Sequence, residues 1–291
     1  MQTLHFCKSG KANKIDIPPL SVLYYIYGLI QTGFLCLFYG DFQMGYNPRR
    51  HRLPVCNAFG ILLVDKPADW TSFDVVNFVR GRFNLPKVGH CGTLDPAATG
   101  LLVLTIGKFT SFSSRFAGDD KTYEATLKLG ITTDSYDMEG NITSQCDASH
   151  LDDESVRNAI LSFTGEQKQL PPMVSAVKVG GKKLYELARK GIEIEREPRD
   201  IFIENIDITR CANPEYDFTV KCSKGTYIRT LCHDIGQKLG VGGTLSALRR
   251  TQSGRFTLEN ALTIEKIKEM EQQDIADYLA AHLVKLAGAS E

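Results

Sequence analysis

The chain has 291 residues, of which 43% are hydrophobic and 23% charged, and its 34 basic and 34 acidic side chains give a formal net charge of zero. This composition is ordinary for a globular protein and excludes a wholly disordered, collagen-like or low-complexity chain. A net charge of zero also predicts that no strong field surrounds the molecule to attract nucleic acid or membranes without specificity.

The first 58 residues differ from the rest of the chain. They hold six basic and two acidic side chains, so the remaining residues carry a net charge of −4. No charged residue occurs between Ile17 and Gly40, and a membrane-spanning helix needs about 20 predominantly apolar residues. The alternative is a start assigned too early, since a chain that begins at Met44 has a basic arm leading directly into a strand. We favour this second interpretation for residues 1–58, and expect membrane contact only if residues 17–40 form a real anchor.

Apolar runs, alternating patterns and turn residues predict the elements of the body. Strands are expected at Phe59–Val64, Leu101–Ile106, Tyr123–Leu129, Ser175–Val179, Arg199–Thr209 and Tyr216–Cys222. Helices are expected from Thr71 or Ser72 onward and at Asp152–Thr164, Lys183–Lys190, Thr226–Leu239 and Ile264–Leu286, with a polar loop at residues 131–150. Helices and strands are interspersed without a strict strand-helix-strand repeat. The sequence therefore predicts an α+β fold with a mixed, largely antiparallel sheet flanked by helices.

The cysteine and glycine patterns exclude several kinds of site. The eight cysteines form no CxxC pair, which argues against a zinc ribbon or a redox motif. Scattered thiols are typical of a reducing compartment, and we expect the protein to be cytoplasmic. Because neither GxGxxG nor GxxxxGKS occurs, a dinucleotide site and a P-loop have no support.

The segment Lys87–Gly107 is the densest unusual stretch of the chain. Its glycines permit close backbone approach, and Asp95 precedes Pro96, which restricts the backbone of Asp95 to the extended region. Such a loop can present the carboxylate of Asp95 in a fixed direction, although an Asp-Pro pair is also a common structural turn. His90 in the same segment is open to either interpretation, catalytic or structural.

Three further segments carry groups that suit an RNA-binding or catalytic site. In Cys222–Ile235, Thr226 is expected to cap a helix that bears Arg229 in its first turn, where a guanidinium can pair with a carboxylate or phosphate. Arginines in Leu248–Phe256 and lysines and arginines in Lys178–Lys190 are candidates for local basic surfaces. The alternative interpretation of each is an ordinary solvated side chain.

Several collinear motifs resemble the TruB family of tRNA pseudouridine-55 synthases, from about Phe59 to Phe256. LLVDKPADWTS resembles the family's LLLDKP-x-G-x-(T/S)S opening, and GHCGTLDPAATG resembles its GH-x-G-x-LDP-x-A-x-G loop, with Cys91 where Thr is usual. The other matching segments are KTYEATLKLGITTDSYDMEG, PPMVSAVKVGGKKLYELARKGIEIEREPR, CSKGTYIRTLCHDIG and LRRTQSGRF. The resemblance implies a pseudouridine-synthase core, the conversion of uridine to pseudouridine in the T-loop of tRNA, and no metal or cofactor.

The matching motifs also imply a role for individual residues. Asp95 would be the nucleophilic or general-base carboxylate, and Arg229 would pair with it, orient it and keep its pKa low. Tyr123 would stack under the flipped uracil, and His90 would lie in the loop that fills the gap left by the base. Finally, Tyr227 and Leu248 would line the pocket, and Lys66 would support the catalytic loop.

The resemblance leaves alternatives for organisation and activity. We expect a catalytic domain at residues 59–256 and a helical tail at 257–291, which is too short for the RNA-binding PUA domain of many relatives. The competing functions are a non-catalytic protein that binds or folds tRNA and a guide-RNA-dependent, dyskerin-type synthase. Intact Asp95, Tyr123 and Arg229 argue against the first, and the missing PUA domain argues against the second. With no heptad pattern in view, we expect a monomer.

Overall fold

The computed structural model describes residues 54–175, 178–179, 182–183, 192 and 194–288. The predictions for residues 17–40, for a start at Met44 and for a helix at Lys183–Lys190 therefore lie outside the described residues. The strands are β1 Gly60–Lys66, β2 Val88–His90, β3 Thr99–Ile106, β4 Lys121–Leu129, β5 Ile131–Thr133, β6 Ile142–Gln145, β7 Gly165–Gln169, β8 Lys178–Val179, β9 Lys182–Lys183, β10 Arg199–Ala212, β11 Glu215–Cys222, β12 Gly243–Ser253, β13 Phe256–Thr257 and β14 Leu262–Thr263. The α-helices are α1 Ser72–Arg82, α2 Ser113–Ala117, α3 Asp153–Leu161, α4 Ile228–Lys238, α5 Ile264–Glu269 and α6 Gln272–Gly288.

One mixed sheet organises the described part of the chain. Its strand order is β14-β1-β3-β12-β4-β11-β10-β7, with β2 paired to β3 and β13 paired to β12. The pairs β1–β14 and β3–β12 are parallel, and the other recorded pairs of this sheet are antiparallel. The prediction of an α+β fold with a mixed, largely antiparallel sheet is thereby confirmed.

Helices cover the sheet in two groups. Apolar side chains of α3 and α4 pack with those of β4, β10 and β11 in one buried cluster. Those of α1, α5 and α6 pack with β1 and β3 in a second cluster, which includes Ile264, Ile267, Ile275 and Leu279. The residues after 256 thus form the short strands β13 and β14 and the helices α5 and α6, and these helices share a core with the first strand.

The structure contains strands β2 and β7 and helix α2, which the sequence does not predict. Three further differences have a local explanation. Strand β12 at the centre of the sheet was not predicted, because two register shifts along β4 and a pair of arginines obscure its alternation. The polar loop at residues 131–150 contains the hairpin of β5 and β6, whose β6 residues are exposed and so carry no burial pattern. The single helix predicted at Ile264–Leu286 is interrupted at Met270, whose ψ of 145° is extended.

Gly100 allows β3 and β12 to approach closely where they run parallel. Its φ is +98°, and a Cβ at this position would lie 2.3 Å from the carbonyl oxygen of Arg250, its partner in the strand register. The backbone atoms on both sides of this contact belong to central strands. A side chain here would therefore have to displace the sheet.

We expect Gly100→Ala to lower the free energy of unfolding by at least about 2 kcal/mol, from backbone strain and overpacking together. Gly81→Ala is the matched control, since a Cβ at Gly81 in α1 meets no atom within 4 Å. This control should be neutral or stabilise the fold by up to about 1 kcal/mol. Urea unfolding of both variants measures the difference, and equal stabilities would contradict this account of the β3–β12 contact.

Candidate active site

A cavity of about 260 Å³ opens between the β2–β3 loop, the start of β4, the turn before α4 and strand β12. Five of the seven residues that the sequence singled out line it: Asp95, Tyr123, Tyr227, Arg229 and Leu248. Lys66 and His90 are not among the lining residues. The side chains of the cavity come from distant parts of the chain, and their meeting is a consequence of the sheet order.

The loop that carries Asp95 is held from behind by polar contacts to buried side chains. The Nζ of Lys66 donates to the carbonyl oxygens of Pro67, Trp70 and Pro96 at 2.8, 2.6 and 2.9 Å. Lys66 is fully buried, and burial lowers its pKa to about 8, while the charge of Asp95 opposes this shift. An ammonium group with three carbonyl acceptors therefore fixes the backbone directly after the Asp95 carboxylate.

The residue before Asp95 is fixed in the same way by the first turn of α1. Thr71 caps this helix in a capping box with Asp74, which leaves the hydroxyl of Ser72 available for another contact. That buried hydroxyl accepts from the backbone N–H of Leu94 at 2.8 Å and donates to the carbonyl oxygen of Leu94 at 3.1 Å. Both sides of Asp95 are thus held to the body of the fold.

Arg229 faces Asp95 from the first turn of α4 and is 4% exposed. Its Nε lies 3.0 Å from Oδ2 of Asp95, and its Nη1 lies 3.3 Å from Oδ2 of Asp137. The backbone completes its set of partners, because Nη1 donates to the carbonyl oxygen of Ser135 and Nη2 to that of Val174, at 3.0 and 2.8 Å. The guanidinium is therefore buried with two carboxylates and two carbonyls around it.

The start of α4 is not capped by Thr226, so that prediction is wrong. The N-cap is Tyr227, and the hydroxyl of Thr226 donates instead to the carbonyl oxygen of Ser223 at 2.9 Å. The buried side chain of Gln169 accepts from the N–H of Tyr227 at 2.7 Å and donates to its carbonyl oxygen at 3.0 Å. A side chain from β7 thus holds the helix terminus that bears Arg229.

Burial at the cavity raises the pKa of the Asp95 carboxyl above its ordinary value of 3.8, although Arg229 opposes the shift. The neighbouring charge of Asp137 adds to the rise. Arg229 thus favours the ionised form, as expected, but burial outweighs the ion pair and leaves the pKa above its ordinary value. Between the ordinary and the raised pKa the folded state binds more protons than the unfolded state, so ionised Asp95 lowers stability as the pH rises through that window.

Tyr123 and Leu248 form walls of the cavity from adjacent strands. Tyr123 on β4 is 8% exposed, and burial raises the pKa of its hydroxyl, which stays protonated at neutral pH. Leu248 on β12 lies opposite Ala125 in the register of these two strands. The site therefore presents an aromatic ring and an aliphatic side chain beside the Asp95–Arg229 pair.

The prediction of a basic surface at Arg249–Arg255 is wrong for Arg250, which is buried, while the partly exposed Arg249 is already paired with a carboxylate. Arg250 is 1% exposed and donates to the carbonyl oxygens of Leu101 and Gly92, so it holds the loop from inside. Arg249 forms a two-point ion pair with Asp65, with the shorter contact at 2.7 Å. The reason is that β12 lies in the middle of the sheet, where both side chains find acceptors from neighbouring elements.

His90 lies at the end of β2, opposite Leu104 of β3, just before the loop of Asp95. Its Nδ1 is buried without a hydrogen-bond partner among the described residues, and burial lowers the pKa of the imidazole.

In the part of the chain that the structure describes, no group of three or more His, Cys, Asp or Glu side chains could hold a metal ion.

Comparison with protein families accounts for most of the chain. Residues 80–228 match the TruB family pseudouridylate synthase (N terminal domain), and residues 229–286 match the tRNA pseudouridylate synthase B C-terminal domain. The chain belongs to the TruB family. The second match begins at Arg229, at the first turn of α4, and takes in β12, α5 and most of α6.

The TruB relatives of this chain include two proteins named tRNA pseudouridine synthase B. That of Opitutus terrae is 48% identical over 227 residues, which cover 76% of this chain and 94% of that protein. That of Alkaliphilus oremlandii is 50% identical over 230 residues, which cover 78% of this chain and 77% of that protein.

Two solved structures share the fold of this TruB chain at lower identity. One is described as the crystal structure of a Cbf5-Nop10-Gar1 complex, with a TM-score of 0.59 and 30% identity over 77% of this chain and 59% of that chain. The other is an H/ACA RNP bound to a substrate RNA containing 2'-deoxyuridine, with a TM-score of 0.54 and 27% identity over 79% of this chain and 56% of that chain. This chain spans less than two thirds of either solved chain. The shared fold confirms the expected pseudouridine-synthase core.

Three residues of this TruB site were missed by sequence reasoning. Asp137 lies in the carboxylate-rich segment TTDSYDMEG, where its spacing gives no sign that it reaches Arg229. Gln169 is a polar residue at the end of a short strand, and Ser175 follows a Pro-Pro pair in a segment without regular structure. Only the folded chain brings Asp137 to Arg229, Gln169 to the backbone of Tyr227 and Ser175 to the cavity.

We expect Asp137→Asn to lower the pKa of the Asp95 carboxyl, since it removes a negative charge that disfavours ionisation while Arg229 stays in place. Carboxyl NMR titration of the parent and the variant measures this directly. Asp134→Asn is the matched control, because the Asp134 carboxylate lies in the same segment but is bound to Asn141. An Asp95 pKa that is the same in all three proteins would contradict the assigned electrostatics.

Proposed function

We propose that this chain isomerises uridine to pseudouridine at position 55 in the T-loop of tRNA, with the Asp95 carboxylate acting on a flipped-out base. The observation that carries the proposal is the Asp95–Arg229 ion pair, 3.0 Å long, in a cavity of about 260 Å³. A base within a folded RNA reaches such a cavity only after it leaves the stack. The names of the relatives, tRNA pseudouridine synthase B, support the same substrate.

The reaction moves the attachment of uracil to the ribose from N1 to C5 and transfers one proton from C5 to N1. Atoms and electrons balance without an oxidant, a reductant or a second substrate, so the proposal includes no cofactor and no metal. Asp95 serves as the nucleophile or as the general base, and both roles need the ionised carboxylate. Arg229 orients it through the contact at Nε.

The other residues of the site position the nucleotide. Tyr123 stacks on the flipped uracil, which contributes roughly 1–3 kcal/mol for a base on an aromatic ring. Tyr227 and Leu248 close the sides of the cavity, and Lys66 holds the loop through Pro96. His90 belongs to the loop that would fill the gap in the RNA that the flipped base leaves.

The partner in this proposal is the T-arm stem-loop of tRNA, bound by a monomeric, cytoplasmic enzyme. We place the catalytic domain at residues 59–256 and the helical tail at 257–291. No helix among the described residues is long and apolar enough to span a membrane. The basic residues of Lys178–Lys190 remain the candidates for phosphate contacts, and their side chains lie outside the described part of the chain.

The two alternatives find less support. A non-catalytic tRNA-binding protein does not need a carboxylate that is positioned by three separate side chains, those of Lys66, Ser72 and Arg229. A guide-RNA-dependent synthase is favoured only by structural neighbours at 30% identity or less, whereas relatives named tRNA pseudouridine synthase B reach 47–50%.

We expect Asp95→Asn to reduce pseudouridine formation in a T-arm stem-loop by at least about 10²- to 10⁴-fold, as for loss of a general base or nucleophile. The variant should stay folded, because Arg229 keeps Asp137 and two backbone carbonyls as partners. Mapping of pseudouridine in the RNA after incubation with the full chain measures the conversion.

Asp277→Asn on the exposed face of α6 is the matched control and should convert the loop uridine at the parental rate. A parent that binds the RNA but leaves the uridine unchanged would support the non-catalytic alternative. An active Asp95→Asn protein would show that another group performs the chemistry.

A further inference from the structure

Ser175 presents a buried hydroxyl to the same cavity and has no partner for it. The residue is 6% exposed, and its Oγ has no hydrogen-bond partner among the described residues. It lines the cavity together with Asp95 and Tyr123. A buried hydroxyl without a partner has lost its hydrogen bonds to water and gained none within the protein. Such groups are uncommon in folded proteins unless a ligand or a water molecule binds them.

The position of Ser175 is set by backbone contacts, so the hydroxyl is free to serve a ligand. Its own N–H donates to the carbonyl oxygen of Met173 at 3.0 Å. The residue before it, Val174, accepts from Nη2 of Arg229 at 2.8 Å. Ser175 is therefore tied through one residue to the guanidinium that also holds Asp95.

Two other hydroxyls at or near the cavity, those of Thr226 and Ser72, already have partners within the fold. Thr226, which also lines it, donates to the carbonyl oxygen of Ser223. Ser72 behind the loop is engaged by both the N–H and the carbonyl of Leu94. Ser175 thus differs from them in having a cavity-facing hydroxyl that no described group engages.

We propose that Ser175 is a substrate-binding residue whose hydroxyl forms a hydrogen bond to the flipped nucleotide. A serine hydroxyl both donates and accepts, so it matches the carbonyl and imide groups of the uracil edge and the 2'-hydroxyl of the ribose. This inference rests on the proposed function, since it takes a uridine in RNA as the occupant of the cavity.

The test compares Ser175→Thr with Ser175→Val, which have nearly the same shape and differ in the hydroxyl. Both are assayed as the full chain on a T-arm stem-loop RNA, by kcat/KM for pseudouridine formation. We expect the Val variant to be roughly 3- to 10-fold less efficient than the Thr variant, the usual effect of one neutral hydrogen bond. Thermal unfolding of both checks that they are equally folded.

A second arm identifies the atom that the hydroxyl contacts. Dissociation constants of both variants are measured for stem-loops with uridine or 2'-deoxyuridine at the target position. A Val-to-Thr ratio that persists with 2'-deoxyuridine assigns the contact to the base, and a ratio that falls to one assigns it to the ribose.

The test of Ser175 has its own control and its own contradicting outcome, which differ from those for the proposed function. Ser162→Ala removes a hydroxyl that already donates to the carbonyl oxygen of Ala159, and should leave kcat/KM unchanged. Thr and Val variants that differ by less than twofold in kcat/KM, with an active parent, would overturn the role of Ser175. An inactive parent would instead overturn the proposed function.

Discussion

Arg229 is buried at the start of α4, and each of its guanidinium nitrogens contacts an acceptor from another part of the chain. A buried charge costs several kcal/mol when it is unpaired, so the chain segments that supply its acceptors are constrained to meet it. The β2–β3 loop contributes Asp95, the segment after β5 contributes Asp137, and the segment after β7 contributes the carbonyl of Val174. The meeting of these segments at one side of the cavity follows from this requirement.

The same requirement explains why Asp95 is available for chemistry. Its loop is fixed by Lys66 and Ser72 behind it and by Arg229 in front, so little conformational freedom is left to lose when a substrate binds. Burial and the nearby Asp137 raise its pKa, and a carboxylate that is less stabilised as an anion is a better base. Two carboxylates on one guanidinium thus combine firm positioning with retained reactivity.

Much of the fold was predictable because its signals are local. The continuous apolar run of β1, the alternation of β4 and β11 and the cap of α1 each depend on neighbouring residues alone. The position of β12 was not predictable, since Arg249 and Arg250 are central in the sheet only because Asp65 and the carbonyls of Leu101 and Gly92 come from elsewhere. Asp95 and Arg229 were found from their motifs, whereas Asp137, Gln169 and Ser175 act through contacts that only the folded chain creates.

The geometry of the Arg229 guanidinium is the feature on which the site depends most, and replacement of Arg229 by lysine tests its importance. Lysine keeps the charge but cannot reach the acceptors of Nε, Nη1 and Nη2 together. The measurement is the single-turnover rate of pseudouridine formation in a T-arm stem-loop at saturating Arg229→Lys protein, with folding checked by circular dichroism. We expect a folded protein that binds the RNA and reacts at least about 10²-fold more slowly, because the reacting carboxylate is then misplaced. A folded Arg229→Lys protein that reacts at nearly the parental rate would contradict this expectation, because a positive charge alone would then suffice.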